Sequence, residues 1–360
     1  MISNESFTKD WLLSFRKQYK TLDPGILEKM VNALALVEAL KHNGLNFIFK
    51  GGTSLILLLK EANRFSIDID IITQATKEEI EKVLTAVCAD LHFLRFELQE
   101  HRSYKEGVPK AHYKLFYNSK INNSEFPLLL DILFEQNPYP ETDEVDINSD
   151  FIKLDGDPIK VTVPTIDSIL GDKLTAFAPE TTGIPFATDK ELEIIKQLFD
   201  IGKLYEQVKN LEIVKTSFET ISKKEIEYRK LSIESHSVLD DIINTSLLFP
   251  QRQKGDQSKF EKLLRGITQI NSYLIKDRFR IDEAIEAAGK AAYLAAKIKS
   301  NNLDALEIFN KSKTQDGYLI ENIDYNFLNK ATRKLPNNAL FYWYQVVKLI
   351  EQKTPETEAL

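Results

Sequence analysis

Ile67-Asp68-Ile69-Asp70-Ile71 restricts the fold of this chain more than any other segment. Apolar and acidic residues alternate there with period two, the pattern of a strand with one apolar and one polar face. Asp68 and Asp70 then share a face, and Ile67, Ile69 and Ile71 share the other. Aspartate is a poor strand former, and neighbouring carboxylates repel one another. A solvated strand tolerates the pair at a cost, whereas a divalent cation turns the cost into a gain, because oxygen-rich sites hold Mg²⁺.

The surrounding pattern sets the fold class. Helical spacing over 24–43 starts near Pro24 and stops at Gly44. A short buried strand at 45–49 runs into Gly51-Gly52, and Thr53 to Lys60 read as an apolar helix. Beyond the acidic strand (67–72), a helix is predicted over 77–91, with strands near 93–98, 111–117 and 126–134. Residues 135–150 read as a loop carrying Glu135, Glu141, Asp143, Glu144, Asp146 and Asp150 with no basic residue, and a short strand follows at 159–163. From Thr165 the patterns are almost wholly helical: 165–178, 188–208, 211–230, 234–248, 257–275, 282–299, 303–312 and 337–352, with a frayed tail after Lys353. This order predicts an α+β protein, a mixed sheet with helices on one face followed by an all-helical C-terminal domain. The predicted domains are 1–164 and 165–360. Ala284, Ala288, Ala291 and Ala295 form a small-residue seam on one of the later helices.

Composition excludes several classes. Cys88 is the only cysteine among 360 residues, so no intramolecular disulfide forms, and there is no Cys/His cluster for structural zinc. No apolar run reaches the roughly 18–20 residues of a membrane span, and the first residues lack a signal-peptide pattern, so a cytoplasmic protein without membrane partners is expected. Charge is uneven: residues 1–200 balance to −10 and residues 201–360 to +3. Arg252, Lys254, Lys259, Lys262, Arg265, Lys276, Arg278 and Arg280 cluster in sequence, as either solvated helix faces or a surface for a polyanion such as RNA.

Phe49-Lys50-Gly51-Gly52-Thr53-Ser54 precedes the acidic strand. Strand, glycine pair and helix N-terminus form an anion site: glycine lets phosphate approach the backbone, and the first helical turn offers free N–H groups. Thr53 and Ser54 would add hydroxyl donors, or simply cap the helix. A third acid, Asp131, interrupts the apolar run Phe126 to Phe134, which reads as a strand buried on both faces. A carboxylate in such a strand needs a metal, a cation or several donors, the plainer case being a hydrogen-bonded structural Asp.

These residues resemble the nucleotidyltransferase superfamily that shares its core with DNA polymerase β, and more closely the AbiEii/AbiGii nucleotidyltransferase toxins of type IV toxin–antitoxin and abortive-infection systems. The matching motifs are Lys50-Gly51-Gly52-Thr53-Ser54-Leu55 and Arg64-Phe65-Ser66-Ile67-Asp68-Ile69-Asp70. Asp172-Lys173-Leu174-Thr175-Ala176 resembles a helical lysine motif of the family. Lys196-Gln197-Leu198-Phe199-Asp200 departs from its usual Arg-Asp-x-x-Asp-Leu-Tyr, with Gln197 at the first Asp. The resemblance covers roughly residues 30–205.

It implies a polymerase β-like core that transfers NMP from an NTP to a hydroxyl, releasing pyrophosphate. Asp68, Asp70 and Asp131 would be the catalytic and metal-binding residues for two Mg²⁺ ions, with Mn²⁺ as a substitute. Gly51, Gly52, Thr53, Ser54 and Lys173 would bind the nucleotide, supported by Lys50, Arg64, Ser66 and Asp200. RNA, tRNA in particular, is the expected acceptor, and a separate antitoxin protein the expected partner. The acidic 135–150 segment points instead to nucleotidylation of a small molecule or a protein. A non-catalytic nucleotide-binding module is the reading from a different class, which three intact acids disfavour.

Overall fold

A computed structural model describes residues 1–20, 22–59, 61–89, 92–103, 107–276, 278–309, 317–335 and 338–352. The chain forms two compact units, Met1–Thr165 with Ser272–Asp277, and Ile166–Asn271 with Arg278–Leu360.

The first unit is built in the order α1 (Lys9–Ser14), α2 (Pro24–His42), β1 (Ile48–Lys50), α3 (Gly51–Leu58), β2 (Ile69–Thr73), α4 (Lys77–Ala89), β3 (Arg95–Leu98), α5 (Glu100–Ser103), β4 (Lys110–Ser119), β5 (Ser124–Phe134), β6 (Thr142–Asp146) and β7 (Lys160–Pro164). The seven strands form one mixed sheet in the order β3-β4-β5-β2-β1-β7-β6. β2 lies between β1, its antiparallel neighbour, and β5, its parallel neighbour. Period-two alternation sends Phe49, Ile69, Ile71, Leu130, Ile132, Tyr113, Leu115 and Val161 into one core with Leu27, Met30 and Leu34 of α2 and Ile80 and Leu84 of α4. α2 begins where Asp23 caps it, its Oδ1 accepting from the N–H groups of Gly25 (2.7 Å) and Ile26 (3.2 Å), with Pro24 in the first turn.

Several sequence expectations need correction. β5 is not buried on both faces: Leu128, Leu130 and Ile132 are buried, while Leu129, Asp131 and Leu133 between them are only partly so. A continuous apolar run carries no face information, and here the second face is left half open. The acidic 135–150 stretch is not all loop, because Thr142–Asp146 pairs with β7 as an edge strand. Its acids face solvent there, which blunts an edge against pairing with another chain. The helix predicted over 257–275 ends at Ile270, and the chain then returns to the first unit. There the Phe65 N–H donates to the Tyr273 carbonyl (2.8 Å), the Ile275 N–H to the Asn63 carbonyl (3.2 Å), and Leu274 and Ile275 are buried. Helical spacing of Ile270, Leu274 and Ile275 fits a helix equally well, so only the distant pairing decides the conformation. Residues 303–309 are not helical, while 310–312 and the tail after 352 lie outside the described residues.

The second unit is helical: α6 (Ile166–Ala176), α7 (Glu191–Leu204), α8 (Leu211–Tyr228), α9 (Ser235–Gln251), α10 (Gln257–Ile270), α11 (Ile281–Lys299), α12 (Phe327–Thr332) and α13 (Ala339–Glu351). α11 is its axis, buried almost continuously from Ala284 to Ile298, alanine seam included. Trp343 of α13 donates its indole N–H to the Ile285 carbonyl (3.1 Å). Among the described residues no helix is long and apolar enough to cross a membrane.

His92 connects this packing to pH. It lies 4.2 Å from the Phe7 ring and donates through Nε2 to Asn32 Oδ1 (2.6 Å). Burial, aided by the positive charge of Lys120, lowers its pKa to about 4. The folded chain holds it neutral while the unfolded chain protonates it below about 6.5. Between those values the unfolded state binds more protons, so stability falls as pH falls. Tm measured by calorimetry is expected to drop between pH 7 and pH 4.5, and His92→Gln to make that drop shallower. Parallel curves for the two proteins would contradict this.

Candidate active site

Strand register places the acids. Lys50 pairs with Asp70, Asp70 with Asp131, and Asp131 with His112. Residues paired across strands point to the same face, with Cβ atoms about 5 Å apart. Lys50, Asp70, Asp131 and His112 therefore form a row across β1, β2, β5 and β4, on the face opposite Phe49, Ile69, Ile71 and Tyr113. Asp68 stands just upstream of β2, two residues before Asp70. The sheet has thus brought Asp131 beside Asp70, from which it is separated in sequence by two helices and two strands, while Asp68, expected within the strand, lies just outside it.

The glycine pair is explained by the acidic segment that follows it. Gly51 opens α3 with a positive φ of 77°, and a Cβ there would run into the Asp70 carboxylate. A Cβ on Gly52 would lie 2.7 Å from Arg64 Nη2 and 2.8 Å from Ser66 Oγ. Each glycine makes room for one part of Arg64-Phe65-Ser66-Ile67-Asp68-Ile69-Asp70. Arg64 is buried, donating from Nη1 to the Phe65 carbonyl (3.1 Å), and Ser66 is buried beside it. The α3 helix starts at Gly51, two residues before the expected start, so the glycines are its first turn and not a separate loop. Lys50, at its N-cap, makes no side-chain cap there.

Thr53 and Ser54 do not present hydroxyl donors. Both are fully buried; Thr53 Oγ1 donates to the Asp68 carbonyl (2.6 Å) and Ser54 Oγ to the Gly51 carbonyl (2.9 Å). The first bond ties α3 to the acidic strand and the second tightens the glycine turn. What α3 can offer an anion is its backbone N–H groups.

Asp131 has partners that sequence reasoning missed. Its Oδ1 lies 2.6 Å from His112 Nδ1, and its Oδ2 accepts from Arg102 Nη2 at a long 3.4 Å. The carboxylate is 27% exposed and the His112 side chain 12%. Alternation along β4, with Ala111, Tyr113, Leu115 and Tyr117 buried, already puts His112 on the polar face. Only register reveals that it faces Asp131. Asp70 lies against Gly51 on one side of the row while Asp131 binds His112 on the other. Among the described residues no three acidic, imidazole or thiol groups form a ready-made metal cluster. The donor chemistry nevertheless suits a hard cation, since Asp70 and Asp131 offer carboxylate oxygens from adjacent strands beside a turn that a Cβ would fill.

In the helical unit, Lys173 of α6 is buried, with Nζ 2.9 Å from Asp200 Oδ2 and 3.0 Å from Gln197 Oε1, both on α7. The segment that departs from the expected motif thus still grips the lysine, with a neutral amide where a carboxylate was usual.

Residues 34–287 match the family described as "Nucleotidyl transferase AbiEii toxin, Type IV TA system". The chain belongs to the AbiEii family. It is therefore a nucleotidyltransferase, and its family is one of type IV toxins. Two solved structures resemble it: one from H. pylori assigned as a nucleotidyltransferase (17% identity, TM-score 0.42, covering 76% of this chain and 94% of that one), and JHP933 from Helicobacter pylori (17%, 0.43, 78% and 94%). At such low similarity neither carries the assignment. No curated protein matches the chain.

Gly51→Ala is expected to abolish nucleotide transfer, because the new methyl group displaces the Asp70 carboxylate. It should also cost roughly 1–2 kcal/mol of stability through its left-handed backbone. A Gly51→Ala protein with normal turnover would show that this contact does not matter.

Proposed function

We propose that this AbiEii nucleotidyltransferase transfers a nucleoside monophosphate from an NTP to a hydroxyl of RNA, tRNA being the favoured acceptor, at the face carrying Asp68, Asp70 and Asp131. The observation that supports this reading above all is the in-register pairing of Asp70 with Asp131 beside the Gly51 turn. Asp68, Asp70 and Asp131 would hold two Mg²⁺ ions, replaceable by Mn²⁺. Bound there, the ions supply neutralisation of the triphosphate and stabilisation of charge on the attacking and leaving oxygens.

The chain's own groups do the rest. The backbone at Gly51, Gly52 and Thr53 receives the β- and γ-phosphates, where a side chain at either glycine would intrude. The acceptor hydroxyl oxygen forms a bond to the α-phosphorus while the bond from that phosphorus to the bridging oxygen breaks. Pyrophosphate leaves, and Asp131 is placed to take the hydroxyl proton. Lys173 is held by Asp200 and Gln197 within the helical unit. Arg64 and Ser66 brace the acidic strand from beneath Gly52, and Lys50 stands beside Asp70 at the edge of the turn. The antitoxin expected of a type IV system would be a separate protein.

The basic stretch of 252–280 offers RNA less charge than its sequence suggests. Lys259 pairs with Glu180 (2.8 Å), Arg265 with Glu191 (2.6 Å), Arg252 with Asp282 (3.5 Å) and Lys276 with Glu61 (2.7 Å). Arg278, Arg280 and Lys254 make no ion pair among the described residues, and each is exposed to meet phosphate.

Asp68→Ala and Asp70→Ala are each expected to abolish labelled-NTP incorporation into total RNA with Mg²⁺ while leaving the circular dichroism spectrum unchanged. An active Asp68→Ala protein would refute the site. Charge reversal at Arg278 and Arg280 is expected to weaken RNA binding and to reduce the salt slope of log K by about one to two. An unaltered slope would move the RNA elsewhere.

A further inference from the structure

We infer that His112 is the positioning residue for Asp131: its Nδ1–H fixes one carboxylate oxygen so that the other is presented to metal and acceptor. The inference rests on the site reading above and goes beyond it, since neither the acidic motifs nor the family match singles out His112.

Three observations carry it. The first is the 2.6 Å contact between His112 Nδ1 and Asp131 Oδ1, between residues directly paired on β4 and β5. A carboxylate accepts only, so the imidazole nitrogen facing it is the one that donates. The second is that the His112 backbone is anchored: its N–H donates to Ser103 Oγ (2.9 Å), which itself donates to the Gln99 carbonyl (2.9 Å). α5 and β5 thus hold the residue from two sides, and Arg102, the neighbour of Ser103, reaches the other Asp131 oxygen at 3.4 Å. The third is that His112 Nε2 is buried and has no hydrogen-bond partner among the described residues. A buried polar atom left unpaired destabilises the fold. Packing alone would favour an apolar residue on β4, so the cost is offset by what Nδ1 does.

The consequence is directional. With Oδ1 engaged toward β4 and Asp70 lying against Gly51, the remaining Asp131 oxygen, which Arg102 reaches only at 3.4 Å, is the one left for metal and acceptor. The Arg102 contact is too long to compete strongly for it. Groups that orient a ligating carboxylate typically change metal affinity or activity by 10–100-fold when removed. His112 need not touch substrate or metal for this.

Asparagine and glutamine separate this role from simple space filling. An Asn amide N–H reaches the position of Nδ1, whereas a Gln amide reaches that of Nε2. The full-length protein and its His112→Ala, His112→Asn and His112→Gln variants would be assayed for labelled-NTP incorporation into total RNA across a Mg²⁺ titration. Mn²⁺ binding would be followed in parallel by electron paramagnetic resonance. His112→Ala and His112→Gln are expected to raise the Mg²⁺ midpoint and weaken Mn²⁺ binding at least tenfold, with KM for NTP and Tm little changed. His112→Asn is expected to restore both values to within about threefold of the parent. Wild-type metal dependence in His112→Ala, or an Asn variant as impaired as the Ala variant, would overturn the inference. Asp131→Asn is the control for the underlying reading. If it stays fully active, the site reading falls and the His112 role with it. If it is inactive while His112→Ala is normal, only the His112 role falls.

Discussion

The position of β2 between an antiparallel and a parallel neighbour is the constraint from which the rest follows. A strand presents alternate residues to one face, so a single register on each side determines which groups become neighbours. Here the registers are Lys50 with Asp70 and Asp70 with Asp131. A slip of one residue in either pairing would send the acids of one strand into the helix-packed core and its isoleucines out. Burial of Ile69 and Ile71 against Leu130, Ile132 and the residues of α2 therefore aligns the carboxylates. Hydrophobic packing on one face is what allows like charges to be held side by side on the other.

The two halves of the signature motif are a single packed object. Gly51 leaves space for Asp70, Gly52 leaves space for Arg64 and Ser66, and Thr53 ties its hydroxyl to the Asp68 carbonyl. The turn that would receive phosphate and the segment that would hold metal are thus packed against one another. The Arg64 lead-in is fixed in turn by Tyr273 and Ile275, which return from the helical unit to pair with Phe65 and Asn63. A chain segment with no chemistry of its own supports the acidic strand in this way.

Much of this was legible along the chain. The alternation at 67–71 pointed to the acidic strand, although that strand begins only at Ile69, the Gly-Gly step before an apolar helix gave the turn, and most later helices followed from their spacing, α12 excepted. The motif Lys50 to Asp70 led to the family that residues 34–287 match. Errors arose where local pattern is degenerate. An unbroken apolar run at 126–134 hid a half-open face, and helical spacing at 271–275 hid an extended return. The acidic edge strand β6 looked like a loop, because charge on an edge strand serves solubility and leaves no apolar alternation to detect. Hydroxyls at Thr53 and Ser54 looked available to ligand, yet backbone acceptors closer at hand take them.

Residue type and the periods of two and 3.6 residues fix locally which residues carry oxygen donors, where a glycine pair precedes an apolar helix, and which face of β2 is apolar. Only the tertiary structure decided that Asp131 stands beside Asp70, that His112 and Arg102 are its partners, and that Lys173 is gripped by Gln197 and Asp200. Those are pairings between segments far apart in the chain. Their geometry is fixed by strand register and helix packing, which depend on the whole core closing at once and leave no local trace.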